Sequence, residues 1–296
     1  MKPYDLALIQ MAARASKDES LKAAGELVRE AAGRGAGLVC LPELFATPYF
    51  CQTEEHAFFD LAEPANGPTV TELAKVAGQT RTTLVIPFFE RRAPGLYHNS
   101  LAVAGPDGEA LGLYRKMHIP DDPGYYEKFY FAPGDTGFKS FDTAVGPVGT
   151  LICWDQWFPE AARLTALAGA MLIVYPTAIG WHPAEKAEYG AVQREAWQLA
   201  QRAHALSSHV FTAAVNRVGH EIPPGGGAGI EFWGSSFVAG PMGEILAQAS
   251  TDKEEILTCR IDPKQVETTR RHWPFLRDRR IDAYAGISRR FADGDR

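Results

Sequence analysis

Three short segments, LVIPFF (Leu84 to Phe89), LICW (Leu151 to Trp154) and MLIVYP (Met171 to Pro176), are apolar at consecutive positions. A strand points successive side chains to opposite faces, so a strand without a polar face has to be covered on both sides. Helices cover one face, and a second sheet supplies the layer that is still missing. The fold class expected is α/β, a four-layer α-β-β-α sandwich with mixed sheets.

The rest of the chain fits that frame. Strand-like and helix-like segments alternate: a strand over Tyr4 to Met11, a helix over Asp18 to Arg34, a strand over Gly37 to Glu43, a helix near Val70 to Gln79 and a strand over Thr82 to Glu90. A hairpin is expected to turn at Pro106-Asp107-Gly108, and a second one between Gly240 and Gly243. A strand over Val148 to Ile152 leads to a helix with Pro159 in its first turn, and a long helix is expected from about Pro183 to Ser208. No low-complexity break divides the sequence, which reads as one domain over residues 1–296. Residues 263–296 form a C-terminal extension expected to pack on the body or on a partner subunit.

Composition removes several classes of function. The formal charge of −6 leaves no broad basic field for nucleic acid, and the arginines between Arg270 and Arg280 make only a short mixed patch. No apolar run reaches the roughly 18 residues of a membrane span. The four cysteines are far apart with no C-x-x-C and no secretory leader ahead of them, so the expected setting is reduced and cytoplasmic. GRGAG (Gly33 to Gly37) follows a helix and lacks the dinucleotide spacing, so it reads as helix termination. His204 and His209 do not have ligand-pair spacing, and no metal site is expected. PPGGGAGIEFW (Pro223 to Trp233) reads as a surface loop.

Chemistry is expected at three strand ends. Cys153 falls at a strand-to-helix turn, which exposes a thiol and turns the Trp154 backbone N–H toward developing negative charge. No histidine lies near it in sequence, and a carboxylate in a dry site can serve as its proton acceptor. Glu43 ends LVCLPELF and Lys116 ends LGLYRK, each a charge embedded in an apolar run that is costly unless paired. Trp154 and Trp157 read as packing the turn, and Asp155 as the cap of the helix that follows.

Those blocks, with YPTAI, AAVNRVG and GSSFVAGPMGEIL in the same order, resemble the nitrilase superfamily of carbon-nitrogen hydrolases over nearly the whole chain. The resemblance implies a cysteine-dependent amidohydrolase with no metal or organic cofactor, usually self-associated as a dimer or larger homo-oligomer. By the same resemblance Cys153 is the nucleophile, Glu43 the general base, Lys116 the oxyanion-stabilising cation and Glu127 an additional active-site glutamate that positions Glu43 or the substrate nitrogen. IPDDPGYYEKFYFAPGD and CWDQWFPEAAR look most like the N-carbamoylputrescine amidohydrolase branch. That implies a small linear N-carbamoyl amine as substrate, with ω-amidase-like, N-carbamoyl-β-alanine-type and nitrile-cleaving activities, or a catalytically silent scaffold, as alternatives. Asp122 and Glu185 are the carboxylates expected to meet the far ammonium of such a substrate, and Tyr49 or Trp181 would add a cation-π contact.

Overall fold

The computed structural model describes residues 1–291. Strand β1 (Tyr4–Gln10), helix α1 (Lys17–Gly33) and β2 (Ala36–Cys40) open the chain. They lead into α2 (Pro68–Thr80), β3 (Thr83–Ala93), β4 (Leu96–Ala104) and β5 (Ala110–Arg115). A single turn, α3 (Glu127–Tyr130), precedes β6 (Ser140–Thr143) and β7 (Gly146–Thr150). Then come α4 (Pro159–Leu167), β8 (Leu172–Thr177), β9 (Gly180–Trp181), α5 (Lys186–Ser208) and β10 (Phe211–Asn216). The chain continues through β11 (Val218–Glu221), β12 (Ile230–Trp233), β13 (Phe237–Ala239), β14 (Ile245–Gln248), β15 (Glu255–Ile261) and α6 (Lys264–His272).

Two six-stranded mixed sheets result, in the orders β15-β1-β2-β3-β4-β5 and β6-β7-β8-β10-β13-β14. Read in those directions, both follow one pattern. The first junction is antiparallel, the next two are parallel and the last two are antiparallel. Alternation along β1 shows how the layers are glued. Leu6 and Leu8 join Leu38, Val85 and Leu101 in the core between the sheets, against Val148 and Val174 of the second sheet. Ala7 and Ile9 face the other way, with Val39, Leu84 and Ile86, onto Ala24, Val28, Leu73 and Ala77 of α1 and α2. On the opposite outer face, α4 and α5 bury Ala161, Ala162, Trp197 and Ala205. The α-β-β-α order follows from strands that are apolar on both faces.

Local signals mostly act as the sequence indicates. Ser16 caps α1 in a reciprocal capping box with Glu19, and Gly35 at φ +97° ends the GRGAG segment as a helix terminus. Pro68 and Pro159 occupy the first turns of α2 and α4. Helix α5 starts at Lys186, three residues later than expected, because Glu185 N–H bonds back to His182 O in a separate turn. The loop expected over Pro223 to Trp233 holds only in part. Ile230–Trp233 is strand β12, paired with β11 and with β9 in a small third sheet, and only the glycines before it turn the chain. Arg270 Nη2 donates to Ser208 O at 3.2 Å, and Phe275 stacks on His209, so the start of the C-terminal extension lies against the end of α5. Ile281, Ile287 and Phe291 further along are exposed, and 292–296 of the expected extension lie outside the described residues. No helix among the described residues is long and apolar enough to cross a membrane.

Candidate active site

The carboxyl end of β2 delivers Glu43, the end of β5 delivers Lys116, and the end of β7 delivers Cys153. The first two belong to one sheet and the third to the other, so the site lies where the two sheets meet. The strand ends do not simply run on into helices. Cys153 sits at φ +41° and Leu44, next to Glu43, at φ +48°, left-handed conformations that residues with a Cβ adopt only under constraint. Such strain is often found at reactive turns. Strand β7 stops at Thr150, two residues short of expectation, and a tight turn over Cys153–Trp157 intervenes before α4.

Lys116 is the hub. Its Nζ donates to Glu43 Oε1 at 2.7 Å and to Glu127 Oε2 at 2.6 Å, and all three side chains are at most 1% exposed. Burial alone would lower the Lys116 pKa, but Glu127 and Glu43 outweigh it and hold the ammonium well above its ordinary range. The cation has three N–H bonds and uses two. Glu127 therefore braces Lys116, whereas the sequence resemblance implies a place against Glu43 or the substrate nitrogen. Glu127 is itself fixed by the Tyr49 hydroxyl at 2.7 Å.

Glu43 is buried to zero exposure. Burial raises its pKa, the Lys116 charge opposes this and the Glu127 charge adds to it, and the carboxyl stands at about 7. Oε1 takes the bonds from Lys116 and from Asn99 Nδ2, the latter at 2.6 Å. Oε2 is buried without a hydrogen-bond partner among the described residues. Glu43 and the Cys153 thiol lie close enough to influence each other's protonation. Cys153 is 4% exposed, with its Sγ 3.9 Å from Ala178 O. Burial first, then the neighbouring Glu43, pushes its thiol pKa well above the ordinary value, and Lys116 opposes them. A thiol of this kind is un-ionised at rest and depends on an adjacent base.

Cys153 opens into a cavity of about 410 Å³. Tyr125, Trp154, Trp157 and Trp233 form aromatic walls, and Asp122, His182 and Glu185 stand on its border. Among the described residues no lysine or arginine lines it. Asp122 and Glu185 line the cavity, and Tyr49 and Trp181 do not. Tyr49 stands behind the polar cluster on Glu127. Trp181 is turned toward α5, its Nε1 bonded to Gly190 O at 2.9 Å and its ring covered by the chain's own Lys186 ammonium at 4.6 Å. Asp121 and Glu188 are exposed and do not line the cavity.

Asp155 does not cap α4. Phe158 holds that position without a side-chain bond, and the Asp155 carboxylate is buried inside the Cys153–Trp157 turn. Asn99 of β4 and Asn216 at the end of β10 escaped the sequence reading. Asn216 bonds both Ile179 N–H and Ile179 O, fixing the cavity wall beyond β8. Among the described residues there is no group of three His, Cys, Asp or Glu placed to hold a metal ion.

The carbon-nitrogen hydrolase family model matches residues 5–271. The chain is 44% identical over 279 residues to an N-carbamoylputrescine amidase of Arabidopsis thaliana, covering 93% of this chain and 92% of that one. It is 37% identical to a citrullinase of Francisella tularensis, covering 97% and 98%. A solved carbon-nitrogen hydrolase from Helicobacter pylori G27 superposes with a TM-score of 0.95 at 45% identity, over 98% of this chain and 99% of that one.

Proposed function

The chain belongs to the carbon-nitrogen hydrolase family and is an amidase of that family; from this premise we propose that Cys153 is its nucleophile and a linear N-carbamoyl amine its substrate, N-carbamoylputrescine being the type. The buried and unpartnered Oε2 of Glu43 carries the mechanistic part, since it is a free acceptor of raised basicity beside a protonated thiol.

In this reading Glu43 takes the Cys153 proton as sulfur attacks the ureido carbonyl carbon. The carbonyl oxygen becomes an oxyanion held by the third Lys116 N–H and the Trp154 N–H. Glu43 then gives the proton to the departing nitrogen as the C–N bond breaks, leaving a thiocarbamate on Cys153. Water, deprotonated by Glu43, attacks that carbon and releases the thiol. With the putrescine nitrogen as the departing one, the hydrolysed thiocarbamate leaves as carbamate, which falls apart in solution to carbon dioxide and ammonia. Glu127 keeps Lys116 charged and aimed and does not itself transfer protons.

The far end of the substrate is read from the cavity border. Two carboxylates and no arginine or lysine favour an ammonium, and a substrate whose far end carries a carboxylate would meet repulsion there. The test is kcat/KM for N-carbamoylputrescine, N-carbamoyl-β-alanine, citrulline and N-butylurea. A preference of about tenfold or more for the amine is expected from one charge-assisted hydrogen bond. Preference for a carboxylate-bearing or neutral compound overturns the substrate and leaves the cysteine chemistry standing. We read the chain as one domain acting in the cytoplasm, since its four cysteines are free. Exposed Tyr189, Val192 and Leu199 on α5 and the apolar C-terminal residues support self-association.

A further inference from the structure

We propose that Asp155 is a positioning residue that holds the nucleophile turn in register with Lys116. Its carboxylate is buried to zero exposure and takes four hydrogen bonds. Oδ2 accepts from Ile152 N–H at 2.9 Å and from the Tyr114 hydroxyl at 2.7 Å. Oδ1 accepts from the His118 backbone N–H at 3.0 Å and contacts His118 Nδ1 at 2.7 Å.

The chain positions of these partners give the arrangement its meaning. Ile152 immediately precedes the nucleophile, while Tyr114 and His118 stand two residues before and two residues after Lys116. One carboxylate thus ties the loop that presents the thiol to both sides of the residue that presents the ammonium. The two loops otherwise answer to different sheets: Lys116 N–H bonds to Asn99 O of β4, and Leu151 N–H bonds to Val174 O of β8. Cys153 at φ +41° is held away from the preferred backbone basins, so its turn needs a fixed anchor, and Asp155 closes that turn from within. The His118 ring is locked in its turn by a parallel stack on Phe158, with centroids 3.7 Å apart and planes 6° apart. Sulfur and oxyanion donor have to meet one carbonyl from two sides, where a misplacement of order 1 Å costs about a hundredfold in rate.

The inference rests on the reading of Cys153 and Lys116 as the reacting pair, so its test carries one arm that needs no substrate. His118→Phe keeps the stack and removes the ring donor, and Tyr114→Phe removes only a hydroxyl. The two single variants and the double variant are compared with wild type in kcat, KM, melting temperature and the rate of Cys153 carbamidomethylation by iodoacetamide, followed by intact mass. In the double variant kcat and the labelling rate are each expected to fall tenfold or more, with KM within about threefold. His118→Asn, whose amide can reach the place of Nδ1, is expected to recover most of the loss relative to His118→Phe. If the double variant does not fold, the singles are read by the same criteria with smaller losses. Rates within twofold of wild type in a folded double variant overturn the proposal, as do losses that only track the unfolded fraction or an equal loss in His118→Asn. Should wild type turn over none of the amides, the proposed function fails, and the labelling arm still decides the role of Asp155.

Discussion

Replacing Glu43 by glutamine is expected to stabilise the fold at alkaline pH while abolishing turnover. The native Glu43 carboxyl stands at about 7 against an ordinary 4.5, with burial as the leading cause. A carboxyl whose folded pKa is raised binds its proton more tightly in the native chain than in the unfolded one. The fold therefore loses stability as pH rises from 4.5 to about 7, and above that it bears the whole penalty of an ionised, buried Glu43. At roughly 1.4 kcal/mol per pH unit the full penalty is about 3 kcal/mol, of which roughly 2 kcal/mol or more develops between pH 5 and pH 8.5. Glutamine stays neutral throughout, and Lys116 keeps its bond to Glu127. The measurement is a double difference of melting temperatures, wild type against Glu43→Gln at pH 5 and at pH 8.5, in which titrations shared by the two proteins cancel. At roughly 2 °C per kcal/mol for a chain of this size, the variant is expected to gain about 4 °C on wild type between the two pH values. A double difference near zero, or one of opposite sign, refutes the view that Glu43 is ionised against the preference of its surroundings.

Cys153→Ala is expected to lose all measurable turnover and remain folded, and iodoacetamide is expected to inactivate wild type in step with one adduct on Cys153; an adduct on Cys40 or Cys51 that tracks inactivation reassigns the nucleophile. Lys116→Met removes the oxyanion donor and should lower kcat by about a hundredfold or more, corresponding to about 3 kcal/mol, with little change in KM; a loss confined to KM would make Lys116 a binding residue. In wild type the acid limb of kcat/KM is expected near pH 7, since the base must be ionised to accept the thiol proton. Asn99→Leu takes away a donor that favours the charged Glu43, so that limb should move to higher pH; a limb that stays put or moves down shows that Asn99 does not tune the base.

Glu43, Lys116 and Cys153 were legible because each stands at the end of an apolar run, where a charge or a thiol has no packing reason to be. Asn99 offered no such contrast. It is a neutral amide inside β4, and the register of β4 with β5 on one side and with β3 and β2 on the other brings it beside Lys116 and Glu43. Asp155 misled for a related reason. Its place ahead of Pro159 suggests a cap, whereas apart from Ile152 its partners lie 37 and 41 positions away and are set by the approach of the two sheets. Trp181 reads as an aromatic near acids, and nothing local reveals that Gly190 and Lys186 of α5 already occupy it. Strand β12 was hidden by the glycines before it, which carry the turn signal while the short pairing to β9 and β11 carries the structure. The two-layer sheet core was the opposite case, since continuous apolar runs need no distant information to demand cover on both faces.

That Glu43 and Lys116 ride on one sheet and Cys153 on the other bears on how the chain comes to life during synthesis. The β7 strand that presents the thiol is flanked by β8, which in turn needs β10, while β1 of the first sheet finds its outer neighbour only when β15 emerges. Glu43 and Lys116 are made before Cys153, but the sheet that carries the thiol is complete only once β10, β13 and β14 have followed, so the three groups meet late. Pairings of such long sequence separation form slowly, because loop closure precedes the contacts that reward it. Hydrolytic competence should then appear late in refolding, after the helices and hairpins have formed, and a partly assembled molecule would be chemically quiet.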